Sequence, residues 1–230
     1  GQGVFIKKSE RMEKLMLRKV EGYRPDAIFI LDIPIIGDEF FEGLPSGLKV
    51  HWLDHHPINQ LHDNTTLYNP RVDDDADNRP TSYWAYQVAG QDLWLAFVGT
   101  TADWHLIFKD EVMEEHPDLL NGDEKDAPDV MFSDCRAAEL IRLFDFILKL
   151  DTKDVNSCMK ILTRVDYPEV LDRKSSRGRF VWKRYQKVLK SYEETWKIMN
   201  VTAKHLAKSP LFKNEDDARE WLVYKFHNFY

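Results

Sequence analysis

The sequence contains little cysteine and no long apolar run. Only Cys135 and Cys158 occur among 230 residues, which excludes a disulfide-rich scaffold and suits a reducing compartment. No apolar stretch approaches the roughly 20 residues that span a bilayer, and no signal peptide is recognisable. These absences lead us to expect a cytoplasmic protein that does not act at a membrane.

Excess positive charge is also lacking, although basic residues cluster in one place. The 39 acidic side chains outnumber the 32 basic ones, and the net charge of -7 disfavours broad binding of duplex nucleic acid. Residues 173–190 nevertheless contain eight basic side chains, interleaved aromatic residues and no acid. This stretch is either a surface that holds a nucleic-acid backbone or the solvated face of a long helix. In the first case we expect the contacts to include Arg177, Arg179, Lys183 and Arg184.

Strand and helix signals alternate near the beginning of the sequence. Residues 27–31 form a continuous apolar run, which predicts a strand buried on both faces of a parallel sheet. A helical segment near 38–44 and a turn at 45–47 separate it from a second predicted strand at 48–53. This order indicates a βαβ unit, and open sheets of this kind bind ligands at the carboxyl ends of their strands.

The remaining elements are predicted to be mostly helical. An amphipathic helix capped by Ser9 is expected at 9–21, with Gly22 as its stop. Loops are expected at 57–80 and 109–133, and the apolar run at 221–226 predicts a strand. The expected fold class is α/β, with a parallel sheet flanked by helices and then a mostly helical segment. Further helices are expected at 81–89 with Thr81 as cap, at 93–108 with Asp92 as cap, and at about 134–150, 154–164 and 178–207.

Acidic and imidazole side chains follow both predicted strands. Asp32 comes after the first strand, and Asp54-His55-His56 comes after the second. Asp103 is a carboxylate within an otherwise apolar predicted helix, where it needs a partner or a metal ion. Carboxylate and imidazole ligands together suit Mn²⁺, Mg²⁺ or a similar divalent ion. The alternatives are solvated polar groups at strand ends and, for Asp103, a carboxylate on the helix surface.

Five sequence motifs follow one another along the chain. They are Asp32-Ile33-Pro34, Trp52-Leu53-Asp54-His55-His56-Pro57, Asn69-Pro70-Arg71, Pro80-Thr81-Ser82-Tyr83 and Gly99-Thr100-Thr101-Ala102-Asp103-Trp104-His105. Their order resembles the archaeal-type DHH phosphoesterases, within the RecJ-like superfamily, over roughly residues 4–200. The Asp-His-His tripeptide alone is weak, but its position after a strand and the order of the other motifs make the resemblance specific.

The resemblance implies a parallel-sheet domain that holds two Mn²⁺ or Mg²⁺ ions. By motif, Asp32 bridges both ions, while His55 and Asp103 complete the ligands of the second ion. Asp54 is then a catalytic carboxylate, either as a close metal ligand or as the partner that orients a histidine.

The same motifs imply contacts with the substrate. His56 is expected to meet the scissile phosphate as a catalytic residue, and Arg71 to reach a phosphate as well. A structural role for Arg71 is equally open. His105 either hydrogen-bonds behind the metal ligands or simply packs.

One family motif is missing from the sequence. The first motif of the family has a His-x-Asp-x-Asp pattern that supplies ligands to both ions, and this pattern occurs nowhere in the chain. We therefore expect an incomplete piece of the enzyme that is inactive or weakly active by itself. The expected organisation is a partial catalytic domain at 1–133, a helical connector at 134–214 and the start of a truncated substrate-binding domain at 215–230.

The expected activity of the complete protein is metal-dependent hydrolysis of phosphodiester bonds. The substrate is expected to be single-stranded nucleic acid or a short oligonucleotide, as for a RecJ-like nuclease. One alternative is a phosphodiesterase for small nucleotides or cyclic dinucleotides. Another is a non-catalytic replication scaffold of the same superfamily, although retention of the five candidate site residues argues against it.

Overall fold

A computed structural model describes residues 3–4, 13–58, 61–165 and 169–227. The chain divides into two compact units. The first comprises Gly1–Asp145 and Arg164–Leu171, and the second comprises Phe146–Thr163 and Asp172–Tyr230. The first unit contains a parallel sheet with helices, and the second is helical in its described part, so the expected fold class is confirmed.

The sheet of the first unit has three parallel strands in the order β1-β2-β3. Strands β1 (Ala27–Leu31) and β2 (Lys49–Leu53) confirm the two predicted strands. Strand β3 (Thr65–Tyr68) lies within the segment 57–80 that was expected to be a loop, so this part of the prediction is wrong. Four residues with half-polar composition carry too weak a pattern to identify a strand, and β3 forms by pairing with β2.

Among the described residues, helices pack against one face of the sheet. Ile30, Val50 and Trp52 are buried there with Phe40, and helices α1 (Glu13–Tyr23) and α2 (Asp38–Glu42) supply the covering side chains. On the other face Phe29 is 70% exposed. The prediction that the first strand is buried on both faces is therefore wrong. Alternate side chains point to opposite sides of the sheet, and Phe29 and Leu31 on the second side are exposed.

Helix α1 ends close to its predicted stop. It continues through Gly22 to Tyr23, and Arg24 then takes a left-handed backbone conformation with φ 45°. Ser9, the expected cap of this helix, lies outside the described residues. The short predicted helix near 38–44 is confirmed by α2.

Two helices lead from the sheet to the candidate site. Helix α3 (Thr81–Ala89) has the predicted bounds, but Pro80 rather than Thr81 occupies its N-cap position. Helix α4 (Leu93–Ala102) starts as predicted and ends six residues early, because Asp103 closes the helix and Trp104 has a positive φ of 67°. Asp92 is at the N-cap of α4, yet its side chain makes no capping hydrogen bond with the described residues.

The acidic segment 109–133 was expected to be a loop but contains two short α-helices. Helices α5 (Lys109–Glu115) and α6 (Ala127–Met131) form within it because Val112 and Val130 are fully buried despite the polar surroundings. Helix α7 (Arg136–Leu148) follows and confirms the prediction at 134–150.

The second unit contains the last three helices, which are α8 (Thr152–Leu162), α9 (Ser176–Leu206) and α10 (Glu215–His227). The first two confirm predicted helices. The strand expected at 221–226 is wrong, since α10 spans it and buries Leu222 against α9. Among the described residues, no helix is long and apolar enough to cross a membrane.

Candidate metal centre

The candidate site lies at the carboxyl ends of the three strands. Asp32 follows β1, the tripeptide Asp54-His55-His56 follows β2, and Asn69 follows β3. Parallel strands deliver such residues to one edge of the sheet because their carboxyl ends all face the same way. Asp103 reaches the same place from the carboxyl end of α4.

Three of these side chains bring metal-ligand atoms together, and Asp103 lies beside one of them. One ligand atom from each of Asp32, His55 and His56 lies within 4.8 Å of the others. Nε2 of His55 is 3.6 Å from Oδ1 of Asp32 and 3.3 Å from Oδ2 of Asp103. Neighbouring ligand atoms that each lie about 2.1 Å from one ion are roughly 3.0–3.4 Å apart. The 3.3 Å distance from Nε2 of His55 to Asp103 lies in this range, the 3.6 Å distance to Asp32 is slightly longer, and the 4.8 Å limit for the three-residue group is wider.

The second ring nitrogen of His55 supports the same interpretation. Nδ1 of His55 is 3.0 Å from the backbone carbonyl of Asn78. A carbonyl can only accept, so Nδ1 must carry the proton, and Nε2 of the neutral ring then offers a lone pair. That lone pair faces the carboxylates of Asp32 and Asp103, an arrangement that needs a cation or a second proton between them. Metal-binding histidines are commonly held by a backbone carbonyl in this way.

Asp54 holds His56 in place. Its carboxylate is buried, accepts a hydrogen bond from Nδ1 of His56 at 2.8 Å, and accepts another from the His56 backbone N–H at 3.2 Å. These bonds leave Nε2 of His56 for a ligand or a substrate oxygen. Of the two roles that the motif implied for Asp54, this geometry favours the one that orients a histidine.

Asp32 has an unusual backbone conformation and a fixed side chain. Its φ of 59° lies in the left-handed region, which aspartate tolerates better than most residues. The hydroxyl of Thr81 donates to Oδ1 of Asp32 at 3.0 Å, across 49 residues of sequence. From the sequence Thr81 was predicted only to cap a helix, since no local pattern indicates a partner so distant.

Arg71 braces the Asp-His-His loop. Its Nε donates to the His55 carbonyl at 2.8 Å, and its Nη1 donates to the Asp75 carbonyl. Asn69 completes the brace by donating to the His56 carbonyl at 3.0 Å. The expected phosphate contact of Arg71 stays a prediction, and the structure gives this residue a structural role that was left open.

Asp103 is positioned by close packing of α3 and α4. A Cβ atom at Gly99 would lie 2.7 Å from Cβ of Ser82, so only glycine permits this approach. His105 follows two residues later, and its backbone N–H bonds to the Thr100 carbonyl. Within the described part of the chain no hydrogen bond of its side chain is found, so its proposed place behind the ligands stays a prediction.

Arg79 and Asp77 form a charged clamp beside the site, which the sequence did not predict. The guanidinium of Arg79 donates from Nε to both carboxylate oxygens of Asp77, at 3.0 and 3.1 Å. This hydrogen bonding lowers the pKa of Asp77 from 3.8 to about 2 and raises the pKa of Arg79. The two residues stand two apart in a polar segment, a spacing too common to be informative.

Part of the basic stretch 173–190 makes contacts within the second unit. Trp182 and Tyr185 are buried, so they pack inward instead of offering surfaces for stacking. Arg184 donates to Asp154 at 2.8 Å and lies over the ring of Phe180. The other three expected nucleic-acid contacts are exposed, namely Arg177, Arg179 and Lys183.

Comparison with known proteins adds no family to this geometry. Searches against protein-family models, curated proteins and solved structures found no match to the chain. The resemblance to DHH phosphoesterases therefore stays a prediction that depends on the sequence motifs.

Proposed function

We propose that Asp32, His55 and Asp103 bind a divalent cation, with Mn²⁺ or Mg²⁺ as the expected ion. The observation that carries this proposal is the set of contacts made by the two ring nitrogens of His55. Its Nδ1 is held by a backbone carbonyl, and its Nε2 faces two carboxylates from different elements. A single cation placed between these groups balances their charge and satisfies the lone pair.

The class of reaction that this centre supports best is hydrolysis of a phosphodiester bond. A bound divalent ion supplies charge neutralisation at the phosphate and an activated water. Asp54 fixes His56 so that Nε2 can contact a phosphate oxygen or exchange a proton with the leaving group. Asn69 and Arg71 donate hydrogen bonds to the backbone carbonyls of His56 and His55, which fixes the positions of the two histidines relative to each other.

The residues of this chain supply one part of a two-ion site. Because the His-x-Asp-x-Asp pattern is missing from the sequence, we propose that the chain binds one ion and turns over phosphodiesters weakly or not at all. Rapid Mn²⁺-dependent turnover that Asp103→Ala abolishes would show that the residues present are sufficient.

The proposed substrate is single-stranded nucleic acid or a short oligonucleotide. Arg179, Lys183, Lys187 and Lys190 are exposed and lie four, four and three residues apart on α9, so they share one helix face about 16 Å long. Such a row suits a chain of phosphates better than one small nucleotide, which favours the polymer over cyclic dinucleotides.

Titration with Mn²⁺, followed by calorimetry, tests the metal site directly. We expect one ion per chain, and affinity at least about tenfold weaker in Asp32→Asn, His55→Gln and Asp103→Asn because each loses a ligand. Asp73→Asn is the matched control, since it makes the same carboxylate-to-amide change at an exposed position in a nearby loop. Absence of binding in the unchanged chain would contradict the proposal and favour the non-catalytic scaffold.

A further inference from the structure

The clamp of Arg79 fixes a short segment against helix α3. Besides its bonds to Asp77, Arg79 donates from Nη1 to the Tyr83 hydroxyl at 3.0 Å. Its guanidinium lies 4.8 Å and 4.6 Å from the ring centres of Tyr83 and Trp84. The indole N–H of Trp84 donates to the Arg79 carbonyl at 3.2 Å, so both the backbone and the side chain of Arg79 are anchored.

Asn78 lies between the two halves of this clamp. Its backbone carbonyl is the group that accepts the hydrogen bond from Nδ1 of His55. With Asp77 and Arg79 bound to each other on either side, rotation of the Asn78 peptide would break the bonds of the clamp. The direction of the carbonyl is therefore set by Arg79.

We propose that Arg79 is a positioning residue for His55. By holding the Asn78 carbonyl, it keeps the proton of the imidazole on Nδ1 and leaves Nε2 to face Asp32 and Asp103. The effect on the imidazole concerns the chain without metal, and only the consequence for metal affinity rests on the proposed function. Arg79 touches neither the candidate ligands nor the space between them in the contacts that the structure describes.

The protonation state of each ring nitrogen of His55 tests this inference. Long-range ¹H–¹⁵N correlation spectra of the metal-free chain at about pH 8 should show Nδ1 of His55 protonated. In Arg79→Ala the carbonyl is no longer held, so we expect a second population in which Nδ1 has lost its proton. Arg79→Lys, which keeps the charge but loses the planar fork, should fall between the two.

Two further variants separate positioning from general stability. Asp77→Asn keeps the shape of the clamp and weakens its bonds, so it should shift His55 in the same direction even if Arg79→Ala fails to fold. Arg136→Ala removes another arginine–aspartate pair of the first unit, with Asp118 at 2.8 Å, and should leave His55 unchanged. A single Nδ1-protonated state of His55 in both Arg79→Ala and Asp77→Asn would overturn the inference.

Metal affinity supplies the second measurement. We expect Arg79→Ala to weaken Mn²⁺ binding about tenfold, as is usual when the partner of a metal-binding histidine is disturbed. If the unchanged chain binds no Mn²⁺ while His55 still changes in Arg79→Ala, the proposed metal site fails and the positioning role stands. If the affinity falls without any change at His55, the positioning role fails and the metal site stands.

Discussion

Asp32 and Asp54 are both carboxylates that follow a strand, yet their surroundings give them different chemistry. The side chain of Asp32 is 59% exposed and receives one hydroxyl hydrogen bond, so most of its lone pairs remain available for a cation. Asp54 is buried, and both of its carboxylate oxygens accept hydrogen bonds from His56. At the residue scale, the number of hydrogen bonds already accepted distinguishes a candidate metal ligand from an orienting group.

Asp77 should make the stability of the first unit depend on pH. Its pKa is about 2 in the folded chain against 3.8 for an ordinary aspartate, so it stabilises the fold above about pH 4 and loses this effect as pH falls toward 2. The shift corresponds to at most about 2 kcal/mol. Because the Arg79 side chain is 41% exposed, screening reduces the expected contribution to about 1 kcal/mol.

Denaturant unfolding of Asp77→Asn at several pH values measures this effect. The variant should be about 1 kcal/mol less stable than the unchanged chain near pH 6, and the difference should disappear as the pH falls through about 2. Asp73→Asn, in the same loop, should show no such trend. A deficit of the same size at every pH would mean that the amide disturbs packing and that the charge of Asp77 contributes nothing.

At the scale of elements, the distance between α3 and α4 determines the site. Helix α3 begins with Thr81, which holds Asp32, and α4 ends at Asp103. Gly99 and Ser82 form the contact between these helices. Any change that separates the helices therefore moves two candidate ligands relative to each other.

The substitution Gly99→Ala should separate helices α3 and α4. The new methyl would lie 2.7 Å from Cβ of Ser82, which cannot move away without its helix, so we expect a loss of about 1–3 kcal/mol in unfolding free energy. Mn²⁺ affinity should fall roughly tenfold, because Asp103 moves away from His55. Denaturant unfolding and metal titration measure the two effects.

Gly22→Ala is the control for this substitution. Gly22 also lies in a helix, but the space around its Cβ position is open. Alanine there should be neutral or stabilise by up to about 1 kcal/mol. Unchanged metal affinity in Gly99→Ala would show that the helix contact does not control the site.

At the scale of the whole molecule, charge is distributed unevenly. The chain carries a net charge of -7, yet one face of α9 presents four exposed cations in a row before Glu193 and Glu194 end it. An acidic protein binds a polyanion only where such a local concentration overcomes the general repulsion. The basic face defined by Arg179, Lys183, Lys187 and Lys190 is therefore the expected contact for nucleic acid.

The salt dependence of binding to a single-stranded oligonucleotide tests the basic face. Replacing Arg179, Lys183 and Lys187 by Gln should reduce the slope of log K against log salt by about 2, at about 0.7 per lost phosphate contact. A triple variant with Gln at Lys153, Lys160 and Lys213 changes the net charge equally at other exposed positions of the second unit. Equal slopes for the two variants would assign the binding to net charge alone.

Local patterns in the sequence were sufficient for the main elements and for placing the candidate ligand residues at one edge of the sheet. The apolar run at 27–31 and the Asp-His-His tripeptide after 48–53 placed the strands and their carboxyl ends, because period and composition reflect the backbone directly. The helices α3, α7, α8 and α9 were predictable for the same reason. Strand β3 was not, since its pairing with β2 outweighs its own weak propensity.

Only the tertiary structure decided how the ligand residues are held. The Asp32 carboxylate accepts a hydrogen bond from Thr81, and the His55 ring is held by the Asn78 carbonyl. The position of Asp103 is set by the close contact of two helices at Gly99. These partners lie far from the ligands in sequence, and each contact uses a common residue type that has many other roles. The sequence by itself determined which residues are the candidate ligands, while packing between elements determined their orientation, because hydrogen-bond direction depends on the fold and leaves no periodic trace.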